Sequence, residues 1–246
     1  MNLETKTALI TGGAKRIGSE VARTLHSAGL NIMVHYRSSR NAADQLVAEL
    51  NEARPDSAAS AAGDLHDIEV IPSIVQQTMD QFGRIDVLIN NASTFYPTPI
   101  ELLNDDFWND LVGSNLKAPA FMVSAAAPHL RASEGCIINI IDIYAQRPLS
   151  NHPIYCSAKA GLEMLTKSLA RDLAPEIRVN GVSPGAILWP ENDNTELTQS
   201  QLLERVPLAR MGHPQDIAKT IRFLVQEGTY ITGQIIAVDG GRSIVI

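Results

Sequence analysis

Two rhythms of apolar residues alternate along the chain. Short runs that are apolar almost throughout occupy residues 5–10, 31–35, 58–62, 85–89, 136–141, 177–182 and 234–238. Between them, residues 16–28, 41–51, 68–82, 107–130, 154–173 and 214–226 carry apolar side chains at the three-to-four-residue spacing of one helix face. The runs have the length of strands and no polar alternate face, so they predict a sheet buried on both sides. Strand–helix alternation of this kind predicts a parallel, doubly wound topology. The expected fold class is α/β: one seven-stranded parallel sheet flanked by helices on both faces, formed by a single domain over residues 1–246. A chain of 246 residues with 45% hydrophobic content is large enough to bury such a sheet. Residues 186–205 break the rhythm. They are polar and acidic, with Trp189-Pro190, Glu191 to Asp193 and a helix-start signal at Thr198. Because they follow the carboxyl end of a strand, they read as a substrate lid.

The first apolar run leads into Thr11-Gly-Gly-Ala-Lys-Arg-Ile-Gly18 and then a helical pattern. A glycine-rich turn between strand and helix lets backbone N–H groups approach a pyrophosphate, and the helix dipole favours the anion. The domain therefore reads as Rossmann-type, with Gly12, Lys15, Arg16, Ile17 and Gly18 as candidate cofactor contacts. An ordinary β–α turn is the alternative.

Farther along, Tyr155 and Lys159 stand at i and i+4 on a helix expected to start near Pro153, so they project as neighbours from one face. A free phenol titrates near pH ~10, and an ammonium ion within a few ångströms would lower that value. Tyr155 is thus a candidate general acid or base, with Lys159 expected to make it easier to ionise. Asp142 lies thirteen positions upstream of the tyrosine.

Composition removes several function classes. A formal net charge of −7 disfavours a nucleic-acid surface. No apolar run has membrane-spanning length and no secretory segment opens the chain, so a cytoplasmic location without membrane attachment is expected. Cys136 and Cys156 read as small buried hydrophobes, and the six histidines lack ligand spacing, so no metal is expected.

The glycine turn, Asn90-Asn-Ala92, Asn115 in Gly-Ser-Asn-Leu-Lys, the Tyr155/Lys159 pair, Pro184-Gly185 and the closing Ile231-Thr-Gly-Gln-Ile-Ile-Ala-Val-Asp-Gly-Gly241 match one pattern in order and spacing. Together they resemble the short-chain dehydrogenase/reductase family over essentially the whole chain. The resemblance implies that Lys159 holds the nicotinamide ribose and that Asn115 supports a water linking the lysine to solvent. It implies that Asp64 in Gly-Asp-Leu65 holds the adenine, and that Asn91, Ala92 and the Pro184-Gly185 backbone frame the nicotinamide. A homotetramer built through paired helices and the C-terminal segment is implied as well.

At the end of the second strand, where an NAD enzyme usually places an acid, the chain reads His35-Tyr-Arg-Ser-Ser-Arg40. Arg37 and Ser38, beside Tyr36, supply a cation and a hydroxyl where a 2′-phosphate would sit, so the expected cofactor is NADPH. Two positions depart from the family pattern. Arg16 replaces the middle glycine of the turn, adding charge near the cofactor phosphates or, alternatively, a donor to the substrate edge. Asp142 replaces a serine. A serine can donate to a ketone oxygen, whereas an ionised carboxylate only accepts, so Asp142 suits a substrate with N–H donors or must be protonated through burial.

With that aspartate, His-Tyr-Arg-Ser-Ser and Asn-Asn-Ala-Ser-Thr-Phe-Tyr-Pro-Thr-Pro look like the pteridine reductase branch of the family. This resemblance implies Phe95 stacked on a flat bicyclic ring, helped by Tyr96 or Trp189, with Ser93 at the ring's polar edge and Asp142 and Tyr155 at the reacting bond. The expected activity is NADPH-dependent reduction of a dihydropterin, with dihydrofolate a further substrate and Tyr155 the proton donor. Reduction of a 3-oxoacyl thioester or other small ketone is the enzymatic alternative, and a non-catalytic NADP(H)-binding protein is the remote one.

Overall fold

The computed structural model describes residues 5–187 and 199–245. Seven strands, β1 (Thr7–Ile10), β2 (Asn31–Tyr36), β3 (Ala58–Ala62), β4 (Val87–Asn90), β5 (Cys136–Ile140), β6 (Arg178–Pro184) and β7 (Ile235–Val238), lie in the order β3-β2-β1-β4-β5-β6-β7. Every pairing is parallel. The helices are α1 (Arg16–Ser27), α2 (Arg40–Ala53), α3 (Ile71–Phe82), α4 (Asp105–Val112), α5 (Ala118–Ala132), α6 (Pro153–Asp172), α7 (Gln199–Glu204) and α8 (Pro214–Gln226). Among the described residues, no helix is long and apolar enough to cross a membrane.

Successive strand residues point to opposite faces, and the core divides accordingly. Ala8, Ile10, Ile32, Val34 and Ile138 pack with Val21, Leu25, Ile217 and Ile221 on one side. Leu9, Met33, Leu88 and Ile137 meet Ile74, Val75, Met122 and Leu130 on the other. Both strand faces are covered, which is why the runs read as continuously apolar rather than alternating.

One expected helix is not continuous. The stretch predicted over 107–130 is interrupted by a π-turn at Gly113–Lys117, between α4 and α5. Pro119 has no N–H to offer the carbonyl four residues back, so the regular ladder cannot run through this point, and the Ala118 N–H reaches Gly113 O instead. The lid expected over 186–205 falls mostly on residues 188–198, including Trp189 and Glu191 to Asp193, which lie outside the described residues.

The chain winds from β1 to one edge through β2 and β3, then returns to the other side of β1 at β4. The crevice between the carboxyl ends of β1 and β4 is therefore the switch point at which open α/β sheets bind ligands. A knot of hydrogen bonds closes it from below. Thr11 Oγ1 accepts from the backbone N–H groups of Asn91 (2.9 Å) and Ala92 (3.0 Å) and donates to Ile89 O (3.3 Å). Asn91 Nδ2 donates to the carbonyls of Thr11 and Gly12, both at 2.9 Å. Thr11→Val keeps the shape but leaves two N–H groups without their acceptor. At about 1–3 kcal/mol per unsatisfied group, a loss of roughly 2–6 kcal/mol is expected in urea unfolding. A loss under about 0.5 kcal/mol would mean that water replaces the hydroxyl.

Candidate active site

Asp142 follows β5 and caps the short 3₁₀ turn Ile143–Ala145, its Oδ1 accepting from the Tyr144 N–H at 3.0 Å. Across from it, α6 starts with Pro153 in its first turn and brings Tyr155 and Lys159 to the same place. The Tyr155 hydroxyl donates to Asp142 Oδ2 at 2.8 Å. Lys159 Nζ donates to Ile140 O at 2.9 Å and stands 5.7 Å from the centre of the Tyr155 ring. Tyr155 and Lys159 are buried and Asp142 is half-buried among them, and loss of water dominates the titration of all three. It pushes the Asp142 carboxyl up, although the Tyr144 N–H, the Tyr155 hydroxyl and the charges of Lys159 and Arg242 pull the other way. It lowers Lys159 to about 8, with the Asp142 charge opposing. It raises Tyr155 well above its ordinary value, and the charge and hydrogen bond of Asp142 add to the rise.

This overturns the expectation that Lys159 eases the ionisation of Tyr155. The ammonium is committed to a carbonyl and lies over the ring, whereas a carboxylate sits directly on the hydroxyl. In this arrangement the Tyr155 phenol is held protonated.

The loop after β4 forms the opposite wall. Phe95 is 45% exposed, stacks on His152 (4.8 Å between centroids, 14° between planes) and meets the Tyr155 ring edge-on at 4.8 Å. Asn115, fully buried in the π-turn, holds this loop: Nδ2 donates to Thr94 O (2.9 Å) and Leu111 O (3.0 Å), and Oδ1 accepts from Ser93 Oγ (2.7 Å). Thus Asn115 and Ser93 are brought together, and the Asn115 side chain anchors this wall.

At the other end, Gly12 (φ +59°) and Gly18 line a tight turn. A Cβ on Gly18 would fall 2.5 Å from Gly12 O and 2.7 Å from Asn91 Nδ2. Arg16 adopts φ +54° where the family usually has glycine, a left-handed backbone that costs a side-chain-bearing residue about 1–2 kcal/mol. Gly12, Lys15, Tyr36, Arg37 and Ser38 line one cleft, and Ile17 packs on the core beneath. The Gly63 N–H donates to Tyr36 O at 3.0 Å, which carries Asp64 and the buried Leu65 alongside. Burial raises the Asp64 carboxyl, but hydrogen bonds from His66 and the charges of His66 and Arg37 leave it below its usual range. Gly185 lies against Asp239, where a Cβ would come within 2.6 Å, so Pro184 and Gly185 end β6 beside the C-terminal loop. A turn without room for side chains, next to a cation, a hydroxyl and a lysine, fits a dinucleotide bearing an extra phosphate. The Asn91 amide nitrogen ties down the glycine turn, so this residue belongs to the frame of the cleft.

A family model described as Enoyl-(Acyl carrier protein) reductase matches residues 12–243. The chain belongs to the short-chain dehydrogenase/reductase family. It is 36% identical to Pteridine reductase 1 of Leishmania tarentolae, over 96% of each chain. It is also 36% identical to a 3-oxoacyl-(acyl-carrier-protein) reductase of Staphylococcus aureus, over 96% of this chain and 98% of that one. A Synechocystis 3-oxoacyl-(acyl-carrier-protein) reductase is 34% identical over 97% of each chain. As a short-chain dehydrogenase/reductase, the protein is an oxidoreductase of the kind that binds NAD(P)H.

Sequence reading passed over His35 in this short-chain dehydrogenase/reductase. The one signal was a polar ring at the end of an apolar strand. His35 Nδ1 accepts from the Gly12 N–H at 3.2 Å, and Nε2 faces Gly63 O at 3.0 Å. A carbonyl can only accept and an N–H can only donate, so the ring is neutral with its proton on Nε2. Burial lowers its pKa below 6.5, against the Gly63 carbonyl and the Asp64 charge. The unfolded chain therefore takes up this proton first as pH falls, so the contribution of His35 is complete above 6.5 and is lost below it. Equilibrium unfolding of His35→Asn should depend less on pH below that value than wild type; parallel curves would refute the assignment.

Proposed function

We propose that this protein is an NADPH-dependent pteridine reductase. The observation that carries the reading is Asp142, whose carboxyl lies 2.8 Å from the Tyr155 hydroxyl where the family's serine would donate to a ketone. An acceptor there favours a substrate that presents N–H groups, as a pterin ring does. Phe95 supports it, since a half-exposed aromatic face beside Tyr155 can align a flat ring, worth about 0.5–1.5 kcal/mol beyond area burial. Equal identity to 3-oxoacyl reductases keeps the thioester reading as the competitor.

Bound NADPH supplies the hydride. Arg37 and Ser38 hold its extra phosphate, Gly12, Lys15, Arg16, Ile17 and Gly18 its pyrophosphate, Asp64 and Leu65 the adenine, and Asn91, Ala92, Pro184 and Gly185 surround the nicotinamide. Tyr155 gives its proton to the nitrogen of the reduced C=N bond, and the charge it gains is balanced by the Lys159 ammonium. Because Lys159 titrates at about 8, that ammonium persists at neutral pH. Asp142 accepts an N–H of the ring and, when protonated, returns a proton to Tyr155 through their shared hydrogen bond. Ser93 meets the polar edge of the ring.

In the deciding experiment, NADPH absorbance is followed with dihydrobiopterin, dihydrofolate and an acetoacetyl thioester in parallel. We expect turnover with the pterin and none with the thioester, at a rate roughly 10-fold or more lower with NADH for want of charge-assisted bonds to the phosphate. Tyr155→Phe should lower turnover by about 100- to 10,000-fold, and Asp142→Ser should gain thioester activity. Thioester turnover without pterin turnover would make this an ordinary ketone reductase.

We also propose a cytoplasmic homotetramer. Trp108 on α4, Phe121 on α5 and Met164 on α6 expose apolar surface suited to helix pairing. Light scattering should give the mass of four chains, and a monomer mass would refute it.

A further inference from the structure

The turn that presents Asp142 is held from a direction unrelated to α6. Its second residue, Tyr144, faces Arg242, whose guanidinium carbon is 5.5 Å from the ring centre. Arg242 opens the 3₁₀ turn Arg242–Ile244, and this turn is anchored on several sides. Asp239 accepts from the Gly241 N–H (2.9 Å) and the Ser243 N–H (2.7 Å). Arg147 Nε donates to Ser243 O at 3.0 Å, bridging the two turns directly. The Leu208 N–H donates to Gly240 O at 3.1 Å. Gly241 presses on Pro207, where a Cβ would fall 2.9 Å from the proline Cγ. A cation fixed in this way is part of the site's framework.

We propose that Arg242 is a positioning residue for Asp142: seated on the Tyr144 ring, it fixes the turn that presents the carboxyl to Tyr155 and places a positive charge beside it. The groups facing Asp142 are Tyr155, Cys156 and Lys159 from α6, Tyr144 from its own turn and Arg242 from the C-terminal turn. Burial raises the Asp142 carboxyl, and Arg242 is one of two cations that draw it back down. Burial likewise raises the Tyr144 phenol, and Arg242 lowers it. Arg242 thus acts against burial and eases the ionisation of Asp142. The inference uses the reading above only in that Asp142 takes part in turnover.

The test is the pH profile of kcat/KM, measured with whichever of dihydropterin and acetoacetyl thioester the wild type reduces. The limb belonging to Asp142 is the one absent from Asp142→Ser. In Arg242→Gln that limb should move to higher pH, because a lost cation makes the carboxyl harder to ionise. In Arg242→Lys it should stay near its wild-type position. Tyr144→Leu, which removes the seat of the guanidinium, should move it in the same direction as Arg242→Gln, and Tyr144→Phe, which keeps the ring and loses only the hydroxyl's bond to Arg242, should move it less. The KM for NADPH should change in none of them. A limb unmoved in Arg242→Gln, even with lower kcat, would reduce Arg242 to packing and overturn the proposal. If Arg242→Gln does not fold, Tyr144→Leu decides in the same way. Turnover of the thioester alone would sink the pterin reading while leaving this comparison intact.

Discussion

Everything at the ligand end of this protein hangs on the knot between Thr11 and Asn91. Two segments leave the carboxyl ends of β1 and β4, one carrying the glycine turn and the other the Phe95 wall. Nothing in a parallel sheet fixes the distance between two such segments once the strands end. Here a single hydroxyl accepts from one segment while belonging to the other, and one amide returns two bonds to the first. His35 repeats the device one strand over by tying Gly12 and Gly63 through one neutral ring. The glycine turn and the Phe95 wall are therefore positioned by side chains at the strand ends, and the sheet itself only brings those ends together.

The reacting groups obey a different constraint, the cost of burying charge. Asp142, Tyr155 and Lys159 share one sheltered space, and desolvation pushes each toward its neutral form. The carboxyl and the ammonium oppose this by facing each other's charge, and the phenol, sitting on the carboxyl, becomes the most firmly protonated of the three. A site so arranged keeps the phenol protonated at neutral pH. To serve as a proton acceptor, the same tyrosine would first have to ionise beside a carboxylate.

The architecture was legible because burial on both strand faces writes itself as unbroken apolar runs, and all seven appear in the structure close to where the pattern places them. Helix α6 was legible from Pro153, and the spacing of Tyr155 and Lys159 correctly put them on one face. What the spacing could not carry was the partner each found. An i, i+4 relation says that two side chains are close, but not that Ile140 O would take the ammonium or that Asp142 would take the phenol. The π-turn was hidden because its apolar residues keep a helical rhythm on either side, and only Pro119 hinted at a broken ladder. Arg242 was invisible for a plainer reason, since contact between Arg242 and Tyr144 exists only after β7 has paired with β6.

The π-turn also governs which changes of length the protein can survive. It holds one more residue per turn than a regular helix, so deleting a single residue between Gly113 and Lys117 is the mutation the backbone would absorb most readily. The ladder would tighten and α4 would join α5 through an α-helical turn, lacking only the hydrogen bond that Pro119 cannot donate. Yet each residue advances an α-helix by about 100°, so that repair would swing Asn115 away from Ser93 and Thr94. A shortened descendant would thus keep its helices and lose the anchor of the Phe95 wall, which makes this irregular turn a point where regular helix geometry and the shape of the cleft pull in opposite directions.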